Sequence, residues 1–374
     1  MVAPVTLLAA LAALAWLYLV LLHGRFWSAG PVLPEAAPRT APSVSIVVPA
    51  RDEAATIAPV LRSLLAQRYA GDVRVVLVDD NSTDDTGAIA RAIGDARLTV
   101  LTGQARPAGW AGKLWAVHQG VAATGSDWLL LTDADIIHDP AHLASLLAHA
   151  EANGCGMVSE MVALNCHSLP ERLLVPAFVY FFQLLYPFAR VNNPRSTVAA
   201  AEGGTVLIRR AVLEQAGGIA AIRGALIDDV ALATAVKRHA PIWLGHSALA
   251  RSVRPYPAFA DIWRMVARSA YVQLRHSPWL LAGTVAGLAL IFLLPPLAAV
   301  FAGGAAGWLG ALGWGLMTAS FLPTLRRFRL GAARALLLPL AAMFYMAATL
   351  GSAWDHHRGR GVQWKQRRYT EGRA

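Results

Sequence analysis

Apolar residues in this chain form long runs near the two ends and short runs in the middle. Residues 2–22 are apolar over roughly 20 positions, the length that a helix needs to cross the hydrocarbon core of a bilayer. Residues 279–325 are long enough for two such helices and 335–354 for a third. Between them, short β-branched runs alternate with stretches of helical composition. This pattern predicts transmembrane helices on either side of an α/β domain.

The middle region reads as a strand, a helix and a second strand in sequence. Residues 44–48 and 73–78 are β-branched runs, and 54–67 between them has helical composition. This order predicts a parallel βαβ unit, and 98–101 and 128–132 are further predicted strands. Ligands of open α/β sheets bind at the carboxyl ends of the strands. The polar residues that follow each strand are therefore the candidates for binding and catalysis.

Charge and breaker residues divide the chain into five parts. They are a transmembrane anchor at 1–24, a linker at 25–42, a catalytic domain at 43–277, a membrane region of about three spans at 278–354, and a basic tail at 355–374. Arg25 follows the first span, so the positive-inside rule predicts a cytoplasmic domain. Three full C-terminal spans place the basic tail on the far side of the membrane. A re-entrant third segment, helped by Pro339, keeps it in the cytoplasm.

The composition favours a membrane protein over a nucleic-acid-binding one. Hydrophobic residues make up 56% of the 374 and charged residues only 15%, against about 25% in soluble domains. The net charge of +10 gathers beside apolar segments, which is typical of contact with anionic lipid headgroups, and no nucleic-acid-binding module is present. Cys155 and Cys166 match no metal or redox motif, so we expect buried thiols in a reducing compartment. The apolar stretch 169–191 is either an interfacial docking helix or a buried core helix.

Two carboxylates separated by one residue follow the fourth predicted strand. Asp133 and Asp135 can turn toward one divalent ion, and Mg²⁺ or Mn²⁺ prefers such oxygen ligands and bridges to diphosphate. The alternative is a plain turn or helix cap. Asp79 and Asp80 end the second strand and are candidates for binding a nucleoside, while Ser82 or Thr83 is expected to cap the next helix.

Three further positions carry candidate chemistry. Lys113, at the start of a predicted helix, is either a ligand of donor phosphates or a solvated lysine, and His118 is expected to be structural. Asp228 and Asp229 open a helical stretch, where acids either stabilise the helix dipole or supply a general base for an attacking hydroxyl. Residues 201–205 form either part of an acceptor pocket or a turn.

The strand-end motifs, in this order, resemble those of family 2 glycosyltransferases of the GT-A fold. They are the run from Val47 to Glu53 that contains Pro49, then Asp79 and Asp80, then Asp133 and Asp135, then Asp228 and Asp229. The resemblance implies a Rossmann-like, mostly parallel sheet, with Asp229 as the catalytic base and Asp133 and Asp135 as ligands of Mg²⁺ or Mn²⁺. It implies a donor site that includes Pro49, Glu53, Asp80, Lys113 and Asp133. Of the relatives' Q-or-R, x, x, R, W element, the chain retains Arg268, which is expected to assist the diphosphate.

Within the family, the layout is similar to the ceramide glucosyltransferase-like branch and most of all to bacterial hopanoid-biosynthesis glycosyltransferases. The residues behind this are 252–257 and 361–365, together with the single anchor and the apolar C-terminal third. The resemblance implies an inverting enzyme of the bacterial inner membrane that moves a sugar from a nucleotide sugar, expected to be a UDP-sugar, to a lipid hydroxyl. A polyprenyl-phosphate acceptor and a catalytically silent membrane scaffold are the alternatives.

Overall fold

The computed structural model describes residues 2–359, 362–364 and 367–369. Most of these residues fall into two compact units, a helical unit (2–30, 166–189 and 256–359) and a sheet unit (31–165 and 190–255). The segments 166–189 and 256–277, which the sequence analysis assigned to the catalytic domain, group with the apolar helices in this division. Of the tail motif at 361–365, Gly361 and Lys365 lie outside the described residues, as does Thr370.

A mixed eight-stranded sheet forms the centre of the sheet unit, with strand order β3-β2-β1-β4-β7-β6-β8-β5. In chain order its strands are β1 (Val44–Ala50), β2 (Val73–Asp79), β3 (Leu98–Thr102), β4 (Trp128–Thr132), β5 (Ile136–His138), β6 (Met157–Ala163), β7 (Thr205–Arg209) and β8 (Ile242–Ser252). Two further short strands, β9 (Val362–Trp364) and β10 (Arg367–Tyr369), pair with each other.

The four strands predicted from the sequence are confirmed, and so is their parallel arrangement. β1 pairs in parallel with β2 and β4, and β2 with β3. β1 and β4 are buried along their whole length, which explains why they read as continuous apolar runs rather than alternating ones. The sequence analysis did not identify β5 to β8. Of these, β7 runs antiparallel to both β4 and β6, and β5 runs antiparallel to β8.

Fifteen α-helices lie in the described part of the chain. They are α1 (Val2–Leu21), α2 (Ile57–Leu65), α3 (Thr86–Arg91), α4 (Gly112–Ala122), α5 (His142–Asn153), α6 (Leu169–Leu185), α7 (Phe188–Val191), α8 (Arg210–Gln215), α9 (Asp228–Val236), α10 (Phe259–Ala267), α11 (Ala270–Gln273), α12 (Pro278–Leu288), α13 (Leu294–Phe301), α14 (Gly304–Arg327) and α15 (Leu338–His357). The predicted helix at 54–67 is real but shorter at both ends.

Prolines in the apolar helices start or distort a helix instead of ending it. Pro295 and Pro296 lie in the first turn of α13, directly after a π-helical stretch at Ala289–Leu293, and the chain does not break there. The break comes at Ala302 and Gly303, before α14. Pro339 lies in the first turn of α15, where the missing N–H costs no hydrogen bond. It therefore begins this helix and does not interrupt it.

Helix α6 is a core helix of the helical unit. A capping box at Ser168 and Glu171 fixes its start. The Tyr180 hydroxyl lies 2.6 Å from the Ser320 hydroxyl on α14, and the Tyr345 hydroxyl of α15 donates to the Leu174 carbonyl at 2.9 Å. Of the two readings of this segment, these contacts favour the buried core helix.

Five helical segments of the described chain are long and apolar enough to cross a membrane: Pro4–Leu21, Leu169–Val191, Pro278–Phe301, Gly304–Arg327 and Ala332–His357. The second of them lies in sequence between β6 and β7, which pair in one sheet. A single crossing there would put the paired strands on opposite sides of the bilayer. The segment therefore does not act as a single transmembrane span.

Candidate active site

A small pocket of about 30 Å³ opens at the carboxyl ends of β1 and β4. Its polar wall comes from three elements: Lys113 on α4, Asp133 after β4, and Asp228 and Asp229 at the start of α9. Pro49 and Gly203 also line it. Apart from Thr132, the other lining residues are apolar: Leu114, Val117, Leu131, Val206, Ile219, Ile222 and Leu232. The structure thus brings together Pro49, Lys113, Asp133 and Asp229 from the predicted site.

Lys113 lies between two carboxylates. Its Nζ is 2.9 Å from Oδ1 of Asp133 and 3.1 Å from Oδ2 of Asp228. Loss of solvent by itself lowers the pKa of Lys113, but the two carboxylates outweigh this and raise it above its ordinary value. Lys113 is therefore a charged member of the site and not the solvated surface lysine of the alternative reading.

Two further acids, Asp229 and Glu202, lie near Lys113 and its two carboxylate partners. Desolvation, with Asp228 as the next cause, raises the pKa of Asp229 to about 7. Desolvation, together with Asp133 and Asp229, raises the pKa of Glu202 to about 8. Four carboxylates thus share one ammonium group, and the site carries excess negative charge.

Glu202 and Gly203 belong to the segment 201–205, which forms the pocket wall. Glu202 Oε2 accepts from the Gly204 N–H at 3.1 Å. A Cβ on Gly203 would lie 3.1 Å from Lys113 Nζ, so only glycine leaves the ammonium group its present room. This segment is therefore part of the site as well as a turn, and sequence reasoning did not single out Glu202 itself.

Asp135 is held away from this pocket by Arg254. The Nε of Arg254 donates to Oδ2 of Asp135 at 2.9 Å, and its Nη2 donates to Oε1 of Glu53 at 2.8 Å. The Ser252 hydroxyl donates to the same Asp135 oxygen at 3.0 Å. Arg254 thus joins two predicted site residues from different strand ends. The sequence analysis named Arg254 only as part of the resemblance at 252–257 and not as a site residue, because its contact depends on the antiparallel pairing of β5 with β8.

Asp80, the predicted nucleoside-binding residue, is not at the protein surface. It is fully buried, and its Oδ2 is 4.0 Å from the Arg51 guanidinium, which also donates to the Asp80 carbonyl at 2.6 Å. Arg51 therefore lies against this carboxylate.

The expected helix cap at Ser82 or Thr83 is wrong. Helix α3 begins only at Thr86, and Asp85 precedes it without a side-chain cap. The Ser82 hydroxyl instead accepts from the Asp52 N–H, and Asp52 Oδ1 accepts from the Thr83 N–H. These residues tie the loop after β2 to the loop after β1, a contact that local sequence does not reveal.

The remaining predicted residues have structural settings of their own. Arg268 lies in the helical unit, at the C-terminal end of α10, and its role stays a prediction. His118 stacks with Trp115 at 5.5 Å, and its structural role stays a prediction. Cys155 is buried, and Cys166 is half-buried. Across the described part of the chain, no three His, Cys, Asp or Glu side chains converge as a preformed metal site.

Residues 45–217 match the model of the family Glycosyl transferase family 2. The chain therefore contains a glycosyltransferase family 2 domain with the GT-A fold, and the prediction of a transferase is confirmed at the level of this domain. The mannosyltransferase PcManGT from Pyrobaculum calidifontis, solved in complex with GDP-Man and Mn²⁺, matches 94% of this chain and 99% of its own. Its TM-score is 0.54 and its identity 20%, a likeness of fold alone.

Two relatives share part of the domain. The 4,4'-diaponeurosporenoate glycosyltransferase of Staphylococcus haemolyticus (strain JCSC1435) is 33% identical over 113 residues, 30% of this chain and 29% of the relative. The succinoglycan biosynthesis protein ExoU of Rhizobium meliloti (strain 1021) is 31% identical over 183 residues, 46% of this chain and 51% of the relative. The chain thus spans less than a third of the first relative and about half of the second.

Proposed function

We propose that the protein is an inverting glycosyltransferase that moves a sugar from a nucleoside diphosphate to the hydroxyl group of a membrane lipid. The observation that carries this proposal is the pocket in which Asp133, Lys113 and Asp229 meet at the strand ends. It combines charged groups suited to a diphosphate with a carboxylate suited to proton abstraction.

The residues fit a divalent cation. The four carboxylates around Lys113 leave excess negative charge, and carboxylate oxygens are the ligands that Mg²⁺ and Mn²⁺ prefer. We assign Asp133 and Asp135 as the ligands, with Lys113 turning from Asp133 toward the donor phosphates. When bound, the cation supplies neutralisation of the charge on the departing diphosphate. Arg254 orients Asp135 through the 2.9 Å contact of its Nε with Oδ2 of that carboxylate.

Asp229 serves as the general base. Its pKa of about 7 lies where a base is effective at neutral pH, whereas Asp228 is occupied by Lys113. Asp229 removes the proton of the acceptor hydroxyl as that oxygen attacks the sugar carbon, and the bond to the diphosphate breaks. One displacement inverts the configuration at that carbon.

The remaining donor contacts are assigned to Pro49, Glu53, Asp80 and Arg268. Pro49 lines the pocket, and Glu53 is held by Arg254. Asp80, with Arg51 against it, is assigned to the nucleoside end. Arg268 is assigned to the diphosphate. A UDP-sugar is the expected donor.

The acceptor is proposed to be a lipid because apolar helices accompany the domain in the same chain. One relative's name specifies an acceptor with an apolar chain, diaponeurosporenoate, which supports a lipid-like acceptor here. A hopanoid is the candidate that the sequence resemblance suggests. We place the protein in a bacterial inner membrane, with the domain facing the cytoplasm where nucleotide sugars are made.

The test is to incubate membranes containing the full chain with a panel of UDP-, GDP- and dTDP-sugars and to identify new glycolipids by mass spectrometry. Membranes with the Asp133→Ala variant are the matched control. A lipid glycosylated at a hydroxyl only with the wild-type chain supports the proposal. A product on polyprenyl phosphate, or no product with any donor, contradicts it.

A further inference from the structure

Four polar side chains of the sheet unit form a continuous buried row that starts at Thr132, one of the residues that line the pocket. The hydroxyl of Thr132 donates to the Gly204 carbonyl at 2.8 Å and lies 2.9 Å from Nε2 of His138. His138 Nδ1 is 2.7 Å from His142 Nδ1, and His142 Nε2 is 2.5 Å from Oε2 of Glu160. All four side chains are at most 2% exposed. We call this set (Thr132, His138, His142 and Glu160) the buried row.

The directions of the hydrogen bonds from Thr132 to His142 follow from the Gly204 carbonyl, which accepts at the Thr132 end of the row. The Gly204 carbonyl only accepts, so the single hydroxyl proton of Thr132 points to it. His138 Nε2 must then carry a proton and donate to Thr132. Burial, with His142 as the second cause, holds the pKa of His138 well below its ordinary value, so this ring is neutral and its Nδ1 accepts. His142 Nδ1 therefore carries the proton between the two rings.

The contact of His142 Nε2 with Glu160 Oε2 at 2.5 Å ends the row. Both side chains of this pair have no exposed surface.

The buried row fixes two segments of the pocket. The bond from His138 to Thr132 closes residues 132–138 at their base, and Asp133 and Asp135 lie inside this closed loop. The bond from Thr132 to Gly204 holds the wall beside Lys113. From the other side, Ser159 fixes the same wall through two hydrogen bonds with the backbone of Glu202.

We propose that the buried row is a positioning device that aligns the acid pair and the glycine wall for sugar transfer, with Thr132 as the residue that joins the two. The proposal rests on the proposed function. The residues of the buried row act through Asp133 and Asp135 and do not contact the reacting atoms. The inference adds Thr132, His138, His142 and Glu160 to the residues on which the site depends.

The test compares Thr132→Val with Thr132→Ser in the purified full-length chain in detergent micelles. Valine keeps the shape and removes the hydroxyl, whereas serine keeps the hydroxyl. We expect Thr132→Val to lower kcat by about 10- to 100-fold and to weaken Mn²⁺ binding, because a displacement of about 1 Å has effects of this size. Thr132→Ser is expected to restore most of the activity. Equal kcat per folded molecule in Thr132→Val and wild type overturns the proposal.

A matched control separates positioning from stability. Ser45 on β1 makes a buried hydrogen bond of 2.6 Å with Ser126, at the opposite end of the strand from the pocket. Ser45→Ala is expected to lower the melting temperature about as much as Thr132→Val without changing kcat. If both variants lose activity in proportion to stability, the buried row has no positioning role.

Two readouts stay informative if the proposed transfer reaction is wrong. Nitrogen-15 NMR of labelled histidines, assigned with His138→Gln and His142→Gln, is expected to show protons on Nε2 of His138 and Nδ1 of His142. The opposite tautomers overturn the bond directions. If no nucleotide sugar is used, Mn²⁺ affinity measured by electron paramagnetic resonance still decides: weaker binding in Thr132→Val supports the alignment of Asp133, and unchanged binding contradicts it.

Discussion

Asp228 and Asp229 are neighbours in sequence but have different partners. Asp228 is paired with Lys113 at 3.1 Å. Asp229 Oδ1 accepts from the Val230 N–H at 2.7 Å, and its pKa is raised to about 7. Helix capping and proton abstraction were alternatives for this pair in the sequence. Both acids lie in the first turn of α9, and their different partners support the assignment of proton abstraction to Asp229.

The first prediction concerns Asp229→Asn. The amide keeps the size and the contact with Val230 but accepts no proton, so we expect kcat to fall by roughly 10²- to 10⁴-fold, the usual range for a lost general base. Donor affinity, measured by isothermal titration calorimetry, should stay near the wild-type value. Asp228→Asn is the matched control and should have a smaller effect on kcat. Normal turnover by Asp229→Asn would place the base elsewhere and favour a polyprenyl-phosphate acceptor.

The second prediction concerns Glu202 and pH. Burial raises the pKa of Glu202 to about 8 in the folded protein, well above that of a glutamate in an unfolded chain. A raised folded pKa stabilises the protonated form, so this stability is complete at about pH 4 and is lost as the pH rises toward 8. In chelator, Glu202→Gln should therefore raise the melting temperature at pH 8 by about 2–6 °C. At pH 4.5 it should change little.

Differential scanning fluorimetry across this pH range provides the measurement for Glu202→Gln. Added Mn²⁺ should narrow the difference at pH 8, because the cation neutralises the same cluster. A constant difference between variant and wild type at every pH would show that Glu202 does not titrate in this range.

At the scale of elements, several candidate site residues lie at the ends of strands, whereas most residues within the strands are buried in the core. β4 is buried at every position, whereas Asp133 directly after it is about a third exposed, with a side-chain exposure of 35%. β8 matters as much as the predicted strands, because it places Arg254 beside Asp135 and Glu53. Substitutions just beyond a strand end are therefore expected to change chemistry more than stability.

The third prediction follows from this division. Asp133→Ala and Asp135→Ala should each abolish turnover while lowering the melting temperature by only a few degrees, because these side chains contribute little apolar packing. EDTA should abolish wild-type activity, and Mn²⁺ or Mg²⁺ should restore it. Activity is measured as sugar transfer from a labelled nucleotide sugar. Full activity in chelator would disprove the metal assignment.

A control at the other end of the same strand sharpens this comparison. Asp127 precedes β4 and accepts from the N–H and hydroxyl of Ser43 at 3.1 and 2.7 Å. Asp127→Ala should cost stability without loss of turnover per folded molecule. The two ends of β4 then report separately on folding and on chemistry.

At the scale of the whole molecule, the candidate membrane spans bear on the topology of the chain. The anchor and the three C-terminal segments account for four of the five helical segments that are long enough to span. The pairing of β6 with β7 removes the remaining segment, Leu169–Val191, from the count of single spans. With four spans and the proposed cytoplasmic domain, the basic tail would lie on the far side of the membrane.

The fourth prediction tests this count with a cysteine at Thr370, a position outside the described residues. In a background with Cys166→Ala, we expect an impermeant thiol reagent to label Thr370→Cys in intact cells. Ala96→Cys, at an exposed position of the sheet unit, is the control and should react only after the cells are opened. Protection of Thr370→Cys in intact cells would favour a re-entrant third segment and a cytoplasmic tail.

The sequence by itself determined the elements whose signal is local. The first four strands, the apolar helices and the acids at the strand ends all follow from runs of neighbouring residues. The tertiary structure alone decided the contacts made across long sequence distances: Arg254 with Glu53 and Asp135, Lys113 between Asp133 and Asp228, and the buried row. Local patterns predict how a segment folds. Which segments meet depends on strand pairing, and here β7 and β8 bring the separate parts of the site together.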